Sequence, residues 1–406
     1  MDFWVGRQPI LGCRMNVEAY ELLYRSGSVG AAGPIDGDQA TAQTIVHAFV
    51  DLDLPSLTGG KRAFINFTRE MLVGGIAELL PPDAIVVEVL ETVDADDQVV
   101  EACTRLKHAG YQLALDDYLL ESEQHQRLLP LADVVKVDFM GNDLRAREEA
   151  VRRLKSPGRL LLAEKVETEP EFEWARQHGY TLHQGYFFAR PTTVQGQQIP
   201  PAKLNYLRLL NALRNRELDL DAVEAAVRDD VSLTHRLLRL LNSASFSWRQ
   251  RIGSVRHALV ALGEDATRKW LSLLCTMGIA TDRPAELVVL SLTRARFLEE
   301  VSGLIGLEAR SGDLFFMGMV SLLPAILARE AAEVYAQLAL PDDVRQALMG
   351  GGNVLASALR MALVFERAEW SRLPSLCADL GTTPRAVSDA YIRAARHATR
   401  ALGTED

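Results

Sequence analysis

The first half of the chain is written in short apolar runs that end on polar side chains. Ala63–Ile65 closes on Asn66, Ile85–Val89 carries Glu88, and Leu113–Leu115 ends on Asp116 and Asp117. Val134–Val137 contains Lys136 and leads to Asp138, and Leu160–Ala163 leads into Glu164 and Glu167. Such runs, bounded by turn residues, predict strands. Between them Val100–Ala109, Leu144–Lys155 and Glu169–His178 show helical spacing and stop at Gly110, Ser156-Pro157-Gly158 and Gly179. Strand–helix–strand repetition predicts a parallel sheet, and many such units predict a β/α barrel. The stretch is shorter than the ~250 residues typical of that architecture, so a trimmed TIM-like barrel is expected.

After Pro200-Pro201 the rhythm changes. Leu204–Leu213, Leu220–Val227, Leu233–Leu241, Val255–Leu262, Trp270–Met277, Leu287–Leu304 and Leu314–Leu327 all repeat apolar residues at helical spacing. The polar, proline-bounded stretch PTTVQGQQIP separates the halves. The expected fold is therefore α/β plus all-α, with a barrel over residues 1–194 and a helical domain over 195–406.

Composition narrows the partners. A length of 406 residues suits two domains, and 48% hydrophobic with 24% charged residues is ordinary for a globular chain. The net charge of −10 argues against a nucleic-acid polymer as partner. Charges interrupt the apolar stretches before ~20 residues, so no membrane span is expected. Met1–Arg7 lacks the pattern of a signal peptide, which makes cytoplasmic residence the default. Cys13, Cys103, Cys275 and Cys377 lie far apart, as buried thiols would, with no metal-ribbon or disulfide spacing.

A carboxylate at the end of a buried strand is costly unless it is solvated, paired or bound to a metal. Several runs ending this way predict side chains converging on one mouth, where parallel barrels build their sites. In order, the polar positions are Glu21, Asn66, Glu88, Glu91, Asp116, Asp117, Lys136, Glu164, Glu167 and Gln184. Hard oxygen ligands suit Mg²⁺ or Mn²⁺ rather than zinc. One of the adjacent Asp116 and Asp117 could bridge two ions, an arrangement used to attack phosphodiesters. Lys136 could orient or acidify a water and Glu164 accept its proton. Bland readings stand beside these: Glu21 as a surface residue, Glu91 and Glu167 as solvated charges, Gln184 as part of a turn.

With Arg7-Gln8-Pro9-Ile10, Tyr20-Glu21-Leu22-Leu23-Tyr24-Arg25, Ile65-Asn66, Glu88-Val89-Leu90-Glu91, Leu115-Asp116-Asp117-Tyr118, Val135-Lys136-Val137-Asp138, Ala163-Glu164-Lys165-Val166-Glu167 and Gln184-Gly185-Tyr186-Phe187-Phe188, residues 3–191 resemble the EAL family of cyclic di-GMP phosphodiesterases. The resemblance implies a barrel binding one or two Mg²⁺ or Mn²⁺ ions through Glu21, Asn66, Glu88, Asp116 and Asp117. It makes Lys136, Glu164 and Gln184 the catalytic set. It places Gln8, Arg25 and Pro191 at the ligand and Glu91 in support of the loop after Asp117. The implied reaction is hydrolysis of cyclic di-GMP to pGpG.

The chain departs from the family pattern in places. Leu22 stands where the signature has alanine, Lys165 where glycine is usual, and Tyr118-Leu119-Leu120-Glu121 where a glycine-containing loop is usual. Leu90 takes the place of a threonine before Glu91, and the segments flanking Asn66 look shortened.

The helical half resembles the HDOD domain, a relative of HD phosphohydrolases without their metal site. Asp230–Thr234, Leu237–Ala244, Ile252-x-Ser254 and Ala258–Gly263 carry the likeness. Ser321 and Leu322 stand where an HD enzyme has its metal-binding His-Asp pair, and a hydroxyl and an alkyl group cannot replace those ligands. This half is expected to contact an unidentified protein, and homo-oligomerisation is left open.

The order EAL then HDOD matches a bacterial signalling architecture. From the departures, the expectation is a divergent, regulatory barrel that binds nucleotide or protein. The alternative is an active, metal-dependent cyclic di-GMP phosphodiesterase.

Overall fold

The computed structural model describes residues 2–27, 53–116, 123–189, 199–215, 217–241 and 252–402. Two compact units emerge: one comprises 1–188, 363–379 and 383–406, the other 189–362 and 380–382.

In the first unit eight strands close a barrel in sequence order. They are β1 (Asp2–Gly12), β2 (Val17–Gly27), β3 (Arg62–Phe67), β4 (Ile85–Val89), β5 (Gln112–Leu115), β6 (Val134–Asp138), β7 (Leu160–Glu164) and β8 (Leu182–His183). From β2 to β8 neighbours are parallel, but β1 is antiparallel to both β2 and β8. The expected parallel sheet thus runs from β2 to β8, with β1 as an antiparallel addition whose cause is local. Antiparallel neighbours can be joined by a tight turn, whereas a parallel pair needs a crossover of a dozen or more residues. The turn after Gly12, where Met15 adopts φ 64°, replaces one such crossover. That economy explains how a short segment closes a full barrel.

The helices begin where their sequences cap them. Asp96 and Asp143 accept hydrogen bonds from Val99 N and Ala146 N and start Asp97–His108 and Leu144–Leu154. Thr168 and Glu171 form a reciprocal capping box that starts Glu169–His178 directly after β7. At the barrel centre Ile10, Ala19, Phe64, Val86, Ala114, Val134, Leu162 and Leu182 form one buried apolar layer, one residue from each strand. Because strand side chains alternate between faces, the residue two positions further on in each strand also points inward.

The second unit is helical. Its main elements are Pro201–Ala212, Leu220–Arg228, Val231–Leu241, Val255–Ile279, Glu286–Leu304 and Ser311–Val320. Val255–Ile279 breaks at Gly263 (φ 73°, ψ 174°), which separates the two apolar runs read from sequence. Gly318 lets its helix approach Glu286–Leu304, since a Cβ there would meet the backbone of Arg294 and Ala295. By length and composition Glu308–Leu327 could cross a membrane, but 67% of its most apolar window is buried.

The sequence reading assigns all of 195–406 to the second domain. Residues 363–379 and 383–406 instead pack with the barrel. Arg7 on β1 donates to Leu57 O and, over 2.8 Å, to Thr399 Oγ1 in the helix Pro384–Leu402. Helical periodicity shows that a segment has an apolar face, not which surface receives it.

Candidate active site

Two residues beyond the apolar layer, toward the carboxyl mouth, every strand places a polar side chain. On β2 to β4, β6 and β7 these are Glu21, Asn66, Glu88, Lys136 and Glu164, with Asp116 directly after β5 and Gln184 directly after β8. On antiparallel β1 the equivalent lies two residues earlier, at Gln8. A ring of eight polar groups therefore lies directly on an apolar floor. The inward register of a closed barrel builds it without any long-range accident.

Lys136 is the hub. Its ammonium lies 2.7 Å from Glu164 Oε1, 3.0 Å from Asp116 Oδ1 and 3.5 Å from Glu21 Oε1, and it also bonds Glu88. Burial opposes its charge, but Glu164, Glu21, Glu88 and Asp116 together outweigh burial and hold its pKa well above the ordinary lysine value. Burial in turn drives Glu88 well above the carboxylate range and Glu164 up to about 8, against the pull of Lys136 and with further push from neighbouring acids. One cation faces three buried carboxylates and the half-buried Asp116, so burial still favours the neutral form at Glu88 and Glu164.

The donor set fits a hard divalent cation. Asn66 Oδ1, Glu88 Oε2, Glu164 Oε2 and Gln184 Oε1 are buried acceptors without hydrogen-bond partners. Four oxygens of that kind in one ring call for positive charge or donors. Among the described residues no three His, Cys, Asp or Glu side chains are arranged to hold an ion as they stand. Glu21, Glu88, Asp116 and Glu164 instead surround the Lys136 ammonium.

Close backbone packing holds the ring in register. Gln184 N donates to Ala163 O (2.8 Å) and Val166 N to Gln184 O (2.9 Å). Gly185 adopts φ 148°, and any Cβ there would run into the Val166 backbone. Lys165 adopts φ 53°, the left-handed region in which glycine is favoured, and pairs with Asp138 at 2.6 Å. Leu22 is fully buried on the outward face of β2 and does not crowd the ring. Tyr24 Oη donates to Asn66 O at 2.7 Å.

Other expected positions fall elsewhere. Glu91 is exposed in the turn after β4, and Glu167 is half-buried, its N–H donating to Glu171. Asp117, Pro191 and the side chain of Arg25 lie outside the described residues, as does most of the loop after Asp116. Sequence reasoning missed Tyr186 and Glu366, whose hydroxyl and carboxylate bond at 2.8 Å. Nothing in the spacing of Glu366 connects it to the barrel. In the helical unit Ser321 Oγ accepts from Arg294 Nη1 at 3.1 Å, and Leu322 is buried.

Residues 39–191 match the family model of the EAL domain, and residues 199–340 match that of the HDOD domain. The chain is 37% identical over 97% of its length to the cyclic di-GMP phosphodiesterase CdgJ of Vibrio cholerae, covering 91% of that protein. This chain belongs to the EAL–HDOD family. The EAL–HDOD chain is also 31% identical to YuxH of Bacillus subtilis, over 94% of each. Among solved structures, the calcium/cyclic di-GMP complex of Klebsiella pneumoniae BlrP1 is 26% identical over 47% of this chain and 56% of that one, with a TM-score of 0.39.

The likeness to CdgJ corrects one expectation. A divergent, purely regulatory barrel was expected from Leu22, Lys165 and the loop after Asp117. A relative named as the phosphodiesterase, matching nearly the whole of both chains, overturns that reading. Two of the departures also have local explanations: Leu22 faces away from the ring, and Lys165 adopts the backbone conformation that favours glycine.

Proposed function

We propose that this EAL–HDOD protein is a cyclic di-GMP phosphodiesterase that opens one phosphodiester of the ring to give pGpG. The observation that carries this reading is its near-full-length likeness to CdgJ, in a chain whose barrel holds the acid–lysine ring. Glu21, Asn66, Glu88 and Asp116 would hold Mg²⁺ or Mn²⁺, with Asp117 at a second ion. The bound ion supplies positive charge to the phosphate and lowers the pKa of water.

The chain's own residues then divide the remaining work. Lys136 holds Glu164 and Asp116 in register and offers its protons to the attacking water. Glu164 takes the proton that water loses as its oxygen attacks phosphorus and the P–O3′ bond breaks, and the departing O3′ takes up a proton from solvent to become the free hydroxyl of pGpG. Gln184 donates to Glu21 Oε2 at 2.5 Å and keeps that carboxylate aimed inward. Gln8, Arg25 and Pro191 are assigned to the nucleotide, and Glu91 to the loop after Asp117. With cyclic di-GMP as its substrate, the protein is assigned to the cytoplasm. The HDOD half, in which Ser321 binds Arg294 rather than offering a ligand pair, is assigned to protein contact.

Product analysis tests the reading. Full-length protein with Mg²⁺ or Mn²⁺ is expected to convert cyclic di-GMP to pGpG, and Glu21→Ala to abolish conversion while remaining folded. Wild-type protein that forms no pGpG with either ion refutes it.

A further inference from the structure

We propose that Glu366, in a helix beyond the matched HDOD residues, is a positioning residue of the barrel site that acts through Gln8 and Gln184 on Glu21. This rests on the phosphodiesterase reading for its consequence in turnover, but the geometry stands independently. Glu366 is the next-to-last residue of the helix Val354–Arg367 and is 4% exposed. Its carbonyl accepts from Gln8 Nε2 at 3.0 Å. Gln8 Oε1 accepts from Gln184 Nε2 at 2.7 Å, and the same nitrogen donates to Glu21 Oε2 at 2.5 Å.

The polarity of this relay is fixed at its ends. A carbonyl oxygen at Glu366 can only accept, and so can an ionised Glu21 carboxylate. Gln8 must therefore turn its NH₂ toward Glu366 and its oxygen toward Gln184. Gln184 must then spend both N–H groups on Gln8 and Glu21, which leaves its own Oε1 as a buried acceptor with no partner. Were Gln8 free to flip, its NH₂ would face that of Gln184 and the aim of Glu21 would loosen.

Two contacts and one close approach hold this end of the relay in place. Tyr186 Oη donates to its carboxylate at 2.8 Å. Arg367 stacks over the Tyr186 ring at 4.8 Å. Gly6, two residues from Gln8 on the same inward face, provides room because a Cβ there would run into Phe365 O and the Trp370 ring. The C-terminal segment thus lies over the β1 sector of the mouth.

The test is Mn²⁺ calorimetry on the full chain, alongside thermal melting and turnover. Glu366→Ala and Tyr186→Phe are each expected to weaken Mn²⁺ affinity, approaching the tenfold loss typical of an outer-shell partner. Glu366→Gln, whose amide oxygen still accepts from Tyr186, should stay within about twofold of wild type. A purely structural role would lower melting temperatures without separating Gln from Ala in Mn²⁺ affinity. Mn²⁺ binding by Tyr186→Phe and Glu366→Ala equal to wild type overturns the proposal, and so does failure of wild type to bind Mn²⁺. Wild type that binds Mn²⁺ yet forms no pGpG refutes the phosphodiesterase reading alone.

Discussion

Two positions near the ring show how backbone conformation decides what a substitution costs. At Gly185 the φ of 148° and the Val166 backbone leave no room for a side chain. Gly185→Ala is expected to cost at least ~3 kcal/mol of stability and to lose turnover, because Gln184 and Glu164 are held through the same contacts. Lys165 already bears the strain of φ 53° without needing its side chain there. Lys165→Gly should relieve roughly 1 kcal/mol of strain and forfeit an exposed ion pair worth less, so stability stays level or rises slightly. Chemical denaturation of both variants checks the contrast. It also explains why Lys165 was misleading as a sign of lost function, since the position requires a conformation rather than a residue type.

Protonation adds a second residue-scale test. Burial raises Glu164 from 4.5 to about 8 in the folded protein, so its contribution to stability is present below pH 4.5 and is lost as pH rises toward 8. A divalent cation needs the deprotonated ring. The gain in melting temperature from Mg²⁺ is therefore expected to be larger at pH 8 than at pH 6. An equal gain at both would mean that the ring carries no exchangeable proton. His183 behaves in the opposite sense. Burial lowers it to about 4 from 6.5, so the folded state loses stability as pH falls from 6.5 toward 4, by about 3 kcal/mol. A His183→Leu variant should lose that much less over the same interval.

At the scale of elements, the apolar layer and the polar ring are one construction. Leu162 is fully buried directly beneath Glu164 on β7. Leu162→Ala should destabilise the barrel by about 2–5 kcal/mol and reduce turnover as well, because the cavity forms under the ring. A loss of stability with turnover per folded molecule unchanged would separate floor from ring. The sequence announced β3 to β7 because buried parallel strands read as nearly continuous apolar runs. It announced the ring through the polar residues at their ends. The strand β1 was less legible: Arg7, Gln8 and Pro9 break its apolar pattern, since its faces meet a helix on one side and the polar site on the other. Antiparallel entry could not be inferred from runs that look alike in either direction.

At the scale of the molecule, family matches and packing draw different boundaries. The EAL match ends at 191 and the HDOD match at 340, yet the chain returns to the barrel after 362. No signal in the sequence separates the helices of the last segment from those before them, because both have one apolar face and only the receiving surface differs. On β1 that surface is specific. Gly6 is cut to fit Phe365 and Trp370, Arg7 is 3% exposed and bonds Thr399, and Arg400 lies 3.4 Å from Asp53. In a fragment of residues 1–194, a buried guanidinium loses its Thr399 partner and the apolar faces of Phe365, Trp370 and Tyr391 leave the barrel unit. Uncovered apolar surface beside a cation that has lost its partner favours association over a monomeric fold. The fragment is expected to be aggregated or to melt without cooperativity, whereas a chain joining 1–194 to 363–406 through a flexible linker should regain a cooperative transition. Sedimentation and melting curves decide it: a monomeric 1–194 fragment with a sharp transition would mean that the barrel is complete without the end of the chain.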